Sequence, residues 1–342
     1  MNAKQAKTLW ILVGIVAVLA ALFAAVLIFN HHKAQQASQA DSSAEALGDS
    51  GATYTGLTYT NSTATLTFSL NKDGTWYWEG NPKFPLNSES VTMILNSISV
   101  LTPKQTITNG DTLEAYGLDN PAITMTASES NGIQTTIAMG NQTADKTGYY
   151  LLLNGDTSTV YVVDENLHDL LSKGIYDMMT LPNLPVLPAE RVSSISLAGA
   201  VQTDLTASVT TAKADSSADS SAASSQSSTT VTWRADGTDV TDNQTVQELV
   251  SEVCALNITA CADYEPTDQA ASLCGFDQPR AVLTVQYTDD QGASQSYTLT
   301  FANADTSGEG CYVRMNNDTT IYTIKASGLK TLLSAAANGI SG

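Results

Sequence analysis

Apolar and polar positions fall into three regimes along this chain. From Leu9 to Phe29 there is no alternation at all, because no charged or strongly polar side chain interrupts the run. A bilayer-spanning helix needs about 20 such residues, whereas the apolar core of a cleavable signal peptide is about 7–15 residues long. The run therefore predicts an uncleaved anchor. The faint cleavage-like stretch Ala37-Ser38-Gln39-Ala40 lies well beyond the apolar core. Lys4 and Lys7 precede the segment and only Lys33 follows closely, so the positive-inside tendency keeps residues 1–8 in the cytoplasm and sends the rest out.

The second regime is ordered. Leu66-Thr-Phe-Ser-Leu70 and Thr75-Trp-Tyr-Trp78 alternate with period two and read as a hairpin across Asn71-Lys-Asp-Gly74. Val91, Ile94, Leu95, Ile98 and Leu101 follow the i, i+3, i+4, i+7, i+10 spacing of one apolar stripe on a helix, capped by Ser88 or Asn87. Val246, Leu249, Val250, Val253 and Leu256 repeat that spacing behind Asp242 or Thr241. Each stripe must cover a sheet. The third regime, residues 30–53 and about 212–228, is rich in Ser, Ala, Gln and Asp. It predicts a flexible stalk and a disordered hairpin insertion, because such composition cannot offset its ordering entropy.

The two stripes belong to a tandem duplication. Tyr116-Gly-Leu-Asp-Asn-Pro-Ala-Ile-Thr-Met-Thr126 returns as Cys274-Gly-Phe-Asp-Gln-Pro-Arg-Ala-Val-Leu-Thr284, and Gly148–Tyr161 returns as Gly310–Tyr322. Gly117, Asp119 and Pro121 thus correspond to Gly275, Asp277 and Pro279. Each glycine is expected to end a short helical turn, with Leu118 or Phe276 packing back on it and the proline preventing its resumption. Two hairpins follow in each copy: Ala122–Ala127 with Ile133–Met139 across a type I′ Asn131-Gly132 turn, then one turning at Asn154-Gly155. Their counterparts are Val282–Tyr287 with Tyr297–Phe301, and a turn at Asn316-Asn317. Terminal helices carry Leu167, Leu170 and Leu171, and Leu329, Leu332 and Leu333. The prediction is α+β: an anchor at 9–29, then two repeats, 54–180 and 189–342, each an antiparallel sheet of hairpins with helices on one face. A proline-rich connector, 181–188, joins them.

Charge narrows the partners. Beyond residue 33 the chain holds 12 basic and 34 acidic residues, a net of −22. Acidity of this kind keeps a domain soluble and repels polyanions, and no Lys/Arg cluster offers a nucleic-acid site. Catalytic chemistry finds few carriers. Of three histidines, two adjoin the anchor, and His168 reads as a solvated position on the last helix of the first copy. Asp236-Gly-Thr-Asp239 and Asp289-Asp290-Gln-Gly292 lack the alternating ligands and closing Glu of a calcium loop and serve turn geometry. No phosphate loop, metal motif or cofactor motif occurs. The four cysteines, Cys254, Cys261, Cys274 and Cys311, all lie in the second copy. Two disulfides (Cys254–Cys261 with Cys274–Cys311), four reduced thiols and a metal site stay open as readings. Trp76 and Trp78 share a strand face, and Trp233 stands at the place of Trp76, as a core residue would. Trp78, with Tyr149 and Tyr150, forms a candidate binding patch of the first copy.

The Tyr-Gly-Leu-Asp-Asn-Pro segment, Met139-Gly140-Asn followed by Gly148-Tyr-Tyr, and Val160-Tyr-Val-Val-Asp164 resemble the bacterial domain-of-unknown-function 4340 family over nearly all of residues 57–338. The second copy departs from it at Cys274 and Phe276 and lacks a clear Met-Gly-Asn equivalent. The resemblance implies a membrane-anchored, extracytoplasmic protein associated with ABC transport systems of the kind linked to gliding motility, and it carries over no catalytic residue. The expectation is a non-enzymatic accessory protein docking to an ABC permease or its associated subunit. Glycan or cell-wall binding through the aromatic patch and an uncharacterised hydrolase are the competing readings.

Overall fold

The computed structural model describes residues 46–212 and 228–340. The expected anchor, most of the stalk and the bulk of the insertion lie outside these residues. No helix among the described residues is long and apolar enough to cross a membrane. The chain forms two compact units. The first takes residues up to Pro82 and Ser88–Lys173, and the second takes Lys83–Asn87 and everything from Gly174.

The first unit runs β1 (Tyr54–Thr60), β2 (Thr65–Leu70), β3 (Trp76–Trp78), α1 (Ser88–Ser99), β4 (Gln105–Thr108), β5 (Ile123–Glu129), β6 (Gln134–Gln142), β7 (Tyr149–Leu153), β8 (Thr159–Val163) and α2 (Glu165–Leu171). Its antiparallel sheet has the order β3-β2-β1-β5-β6-β7-β8-β4. The second unit runs β9 (Val192–Ala198), β10 (Thr203–Ala212), β11 (Ser228–Ala235), β12 (Thr238–Asp239), α3 (Gln244–Cys254), β13 (Ala260–Asp263), α4 (Asp268–Leu273), β14 (Ala281–Thr288), β15 (Ser294–Ala304), β16 (Gly310–Met315), β17 (Ile321–Lys325) and α5 (Lys330–Asn338). Its order, β12-β11-β10-β9-β14-β15-β16-β17-β13, is the first order with β12 added at one edge. Two antiparallel sheets with a few helices bear out the α+β class. Strands β10 and β11 pair from Leu205–Ala235 out to Ala212–Ser228, so the low-complexity insertion joins two neighbouring strands.

Both helical stripes are buried as the spacing requires: Val91, Ile94, Leu95, Ile98 and Leu101 in one unit, Val246, Leu249, Val250, Val253 and Leu256 in the other. The cap of α3 is Asn243, whose side chain accepts from the Val246 N–H, and not Asp242 or Thr241. Thr241 has another task, accepting the Trp233 N–H at 2.9 Å. In the first unit Ser88 accepts the Trp76 N–H, also at 2.9 Å. Trp76 and Trp233 are both buried, as expected of core residues.

The opposite face of each sheet is open and hydroxylated. Thr67, Thr58, Thr126 and Thr136 stand directly across from one another on β2, β1, β5 and β6. The second unit repeats the rank with Asp204, Ser196, Thr284 and Thr298. Helical material is not confined to one face, however. The short turn Leu113–Tyr116 places Leu118 on the open side, in a cluster with Leu152 and Val160 that Tyr116 and Tyr150 border.

Three local expectations change. The Asn131-Gly132 turn is not type I′. Gly132 N–H donates to Glu129 O and Glu129 N–H to Ile133 O, which makes a type I turn closed by a left-handed Gly132 (φ 88°). Asn154-Gly155, with φ of 52° and 72°, is the two-residue primed turn. The end of the stalk is packed, since Leu47 N–H donates to Leu101 O and a Cβ on Gly48 would collide with Ile98 O.

The unit boundary falls at Lys173, where Tyr59 hydroxyl and Asn61 amide both donate to the Lys173 carbonyl. Residues 174–180, assigned by sequence to the first repeat, lie in the second unit. So does the connector, with Leu184 and Leu187 buried. The loop Lys83–Asn87 joins them there as a strap. Phe84 stacks on Tyr176 (6.3 Å) and meets Tyr264 edge-on (5.1 Å). Thr180 N–H donates to Pro85 O and Asn87 N–H to Met178 O. The tryptophan-to-hydroxyl closure spans 12 residues in the first copy and 8 in the second, so the strap occupies chain that the second copy does not have.

Replacing a buried Phe by Ala typically costs about 3–5 kcal/mol. Phe84→Ala is expected to destabilise by that order and to raise amide exchange first in β13 and residues 175–178, with β1 and β2 still protected. Equal acceleration in both sheets would refute the assignment of the strap to the second unit.

Candidate functional site

The aromatic patch read from the sequence does not exist as one surface. Tyr149 and Tyr150 are consecutive on β7 and so point to opposite faces of the sheet. Tyr149 lies flat on His168 of α2, ring centroids 3.8 Å apart, which makes His168 a half-covered stacking partner and not a freely solvated side chain. Tyr150 packs against Tyr116 at 4.7 Å on the open face. Trp78 sits on the edge strand β3, opposite Phe68 and five strands from β7, or about 24 Å at the usual strand spacing. Strand alternation and sheet order, neither visible in a list of aromatic positions, separate the three.

The repeated motif is structural. Gly117 and Gly275 are left-handed (φ 68° and 92°) and end short helical turns, with Leu118 N–H donating to Leu113 O and Phe276 N–H to Ala271 O. A Cβ on Gly117 would lie 2.5 Å from the side chain of Asn141, and one on Gly275 equally close to that of Asn303. This identifies Phe301-Ala302-Asn303 as the second copy's counterpart of Met139-Gly140-Asn141, which sequence reasoning missed because only the asparagine is retained. Asp119 and Asp277 are exposed, and Pro121 and Pro279 follow the turns. Because both conformation and space exclude a side chain, Gly117→Ala and Gly275→Ala are each expected to destabilise by about 1–3 kcal/mol in urea unfolding. Neutral substitutions would sink this reading.

All four cysteines are free, so neither expected pairing is present. Cys254 ends α3 and borders a groove with Trp233, whereas Cys261 lies on β13 at the far edge of the sheet. Cys311 is buried, and its thiol donates to Ala302 O at 3.4 Å. Burial pushes every one of these thiols up, Cys261 to about 12, with the carboxylates of Glu190 (on Cys254) and Asp263 (on Cys261 and Cys274) adding to it. They are protonated at neutral pH and are not activated nucleophiles. Alkylation of the denatured, unreduced protein is therefore expected to add four groups by intact mass. Two or none would mean disulfides.

The turn acids are likewise spent locally. Asp289 accepts the Gln291 and Ala293 N–H groups and the Gln295 amide, and Asp239 accepts the Thr241 N–H and hydroxyl. These hydrogen bonds hold both carboxyls below their ordinary range. A groove of about 540 Å³ lies on the second unit. It is lined by Leu187 and Pro188 of the connector, Val231 and Trp233 of β11, and Val250 and Cys254 of α3, with Thr241, Gln247 and Ser251 as polar rim. Cys254 is the only ionisable group in its wall. No sequence motif announces this groove, because its walls come from three separated segments.

No curated protein sequence and no solved structure matches the chain. The model of the family described as a domain of unknown function (DUF4340) matches residues 76–279 and again 233–339. The two matches begin on Trp76 and Trp233, the two tryptophans that occupy equivalent places in the duplicated fold. The chain belongs to that family, in two copies.

Proposed function

We propose that this protein is a non-enzymatic accessory protein of the cell envelope, anchored through residues 9–29, that binds a membrane transport assembly through its second repeat. The observation that carries the docking role is the groove beside α3. Apolar walls, a tryptophan floor, an amide-and-hydroxyl rim and a single protonated thiol suit contact with another surface, not proton or nucleophile chemistry. The extracytoplasmic placement rests on the apolar run and the lysines before it, and the choice of an ABC permease or ATPase as partner rests on the family resemblance. Nothing brings the aromatic residues of the glycan reading together. The carboxylates whose titration shifts, among them Asp145, Asp239 and Asp318, shift downward, not apart as a hydrolase pair would require.

Ser251 is exposed on α3 and lines the groove, so Ser251→Arg fills it at a position where helix and core tolerate the change, within about 0.5 kcal/mol. Cross-linked pull-down of the full-length chain from its own membranes is expected to recover an ABC permease or ATPase with the wild type and to lose it with S251R. Equal recovery with both would reject the groove as the docking site. No such partner above an anchor-only control would reject the accessory role.

A further inference from the structure

At one place the second copy departs from the first in a way the fold does not require. In the first unit the open side of β7 and β8 is closed by an apolar cluster of Leu118, Leu152 and Val160. The residues equivalent to Leu118 and Leu152 are Phe276 and Arg314. Arg314 stands opposite Thr300, which stands opposite Val282, on the same face that carries the hydroxyl rank. Its guanidinium carbon lies 4.3 Å from the centroid of the Phe276 ring. Arg314 makes no ion pair among the described residues, although acids outnumber bases by 34 to 15 in this chain. Its Nε is buried without an acceptor among the described residues, while the side chain as a whole is only half-buried.

An orphaned buried donor is destabilising by at least as much as a cation–π contact returns. The sister copy shows that leucines satisfy the fold here. The charge is therefore not explained by packing. Its surroundings are those of a recognition site. Tyr312, two residues before Arg314, shares its face and stands opposite Thr323. Asp263, which acts on the nearby Cys274 thiol, has its Oδ1 engaged by the Tyr176 hydroxyl, and Asp277 beside Phe276 is exposed.

We propose that this is an oxyanion-binding site: Arg314, held in orientation by Phe276 and flanked by Thr300 and Tyr312, receives a carboxylate or phosphate group of a ligand lying across the open face of β14–β17. The planar guanidinium matches both anions. The site is separate from the groove beside α3 and does not depend on the docking role.

The test is thermal unfolding of the full-length protein in neutral detergent at pH 7, in sodium phosphate or sodium acetate against sodium chloride of equal ionic strength. At anion concentrations well above the dissociation constant, the wild type is expected to gain about 2–4 °C over chloride. Arg314→Leu, which installs the sister residue, is expected to lose that gain while melting at or above the wild-type temperature in chloride. Arg314→Gln serves in the same role should the leucine variant not fold. A gain in phosphate alone assigns a phosphate-bearing ligand, and a gain in acetate alone assigns a carboxylate. No gain in the wild type, a gain that survives both substitutions, or variants that melt far below the wild type in chloride would each overturn the proposal.

Discussion

Each repeat depends on one crossover. The chain leaves the sheet at the edge formed by β3, or by β11 and β12, and re-enters at the opposite edge as β4 or β13. The helix that intervenes buries a stripe of apolar side chains on the sheet, and each fully buried member contributes about 1.5–3 kcal/mol. A cap such as Asn243 contributes about 1 kcal/mol. Packing, not capping, therefore holds the crossover, and with it the order of every strand. The Trp76–Ser88 and Trp233–Thr241 hydrogen bonds pin where each helix begins. In the second unit Glu252 of α3 accepts the Thr331 and Leu332 N–H groups, which seats α5 on the crossover helix.

Much of this was legible because it is periodic. The two stripes, the alternating strands and the repeated glycine motif all state their role in local spacing, and duplication states it twice. The short edge strands β4 and β13 were not legible, since Gln105-Thr-Ile-Thr108 and Ala260-Cys-Ala-Asp263 carry no alternation and exist because β8 and β17 offer them an open edge. The Asn131-Gly132 turn misled for a related reason. The dipeptide permits a primed turn, but the register of β5 on β6 admits one more residue. The candidate sites fared worst, because the groove, the Phe84–Tyr176–Tyr264 cluster and the Phe276–Arg314 pair each join residues from separated segments.

Duplication also sorts structural from functional residues without any outside comparison. Gly117 and Gly275, Asn141 and Asn303, Asn154 and Asn316 make the same contacts twice. The last pair accepts the Thr136 and Thr298 N–H groups at 2.9 Å in each copy. These positions answer to the fold. Leu152 against Arg314 and Leu118 against Phe276 do not, and the cysteines are confined to one copy. Differences between sisters that share a topology are where selection for something other than folding becomes visible.

The strap at Lys83–Asn87 has a consequence for synthesis. Phe84 is made early, but its partners Tyr176 and Tyr264 come roughly a hundred and two hundred residues later in the chain. A nascent polypeptide that has completed the first sheet still holds an unsheltered phenylalanine until the second is nearly finished, and contacts of such long sequence separation form late. Polypeptides cut short between the repeats would lack Tyr264 and leave one edge of that ring uncovered, a mark by which an unfinished product differs from a finished one.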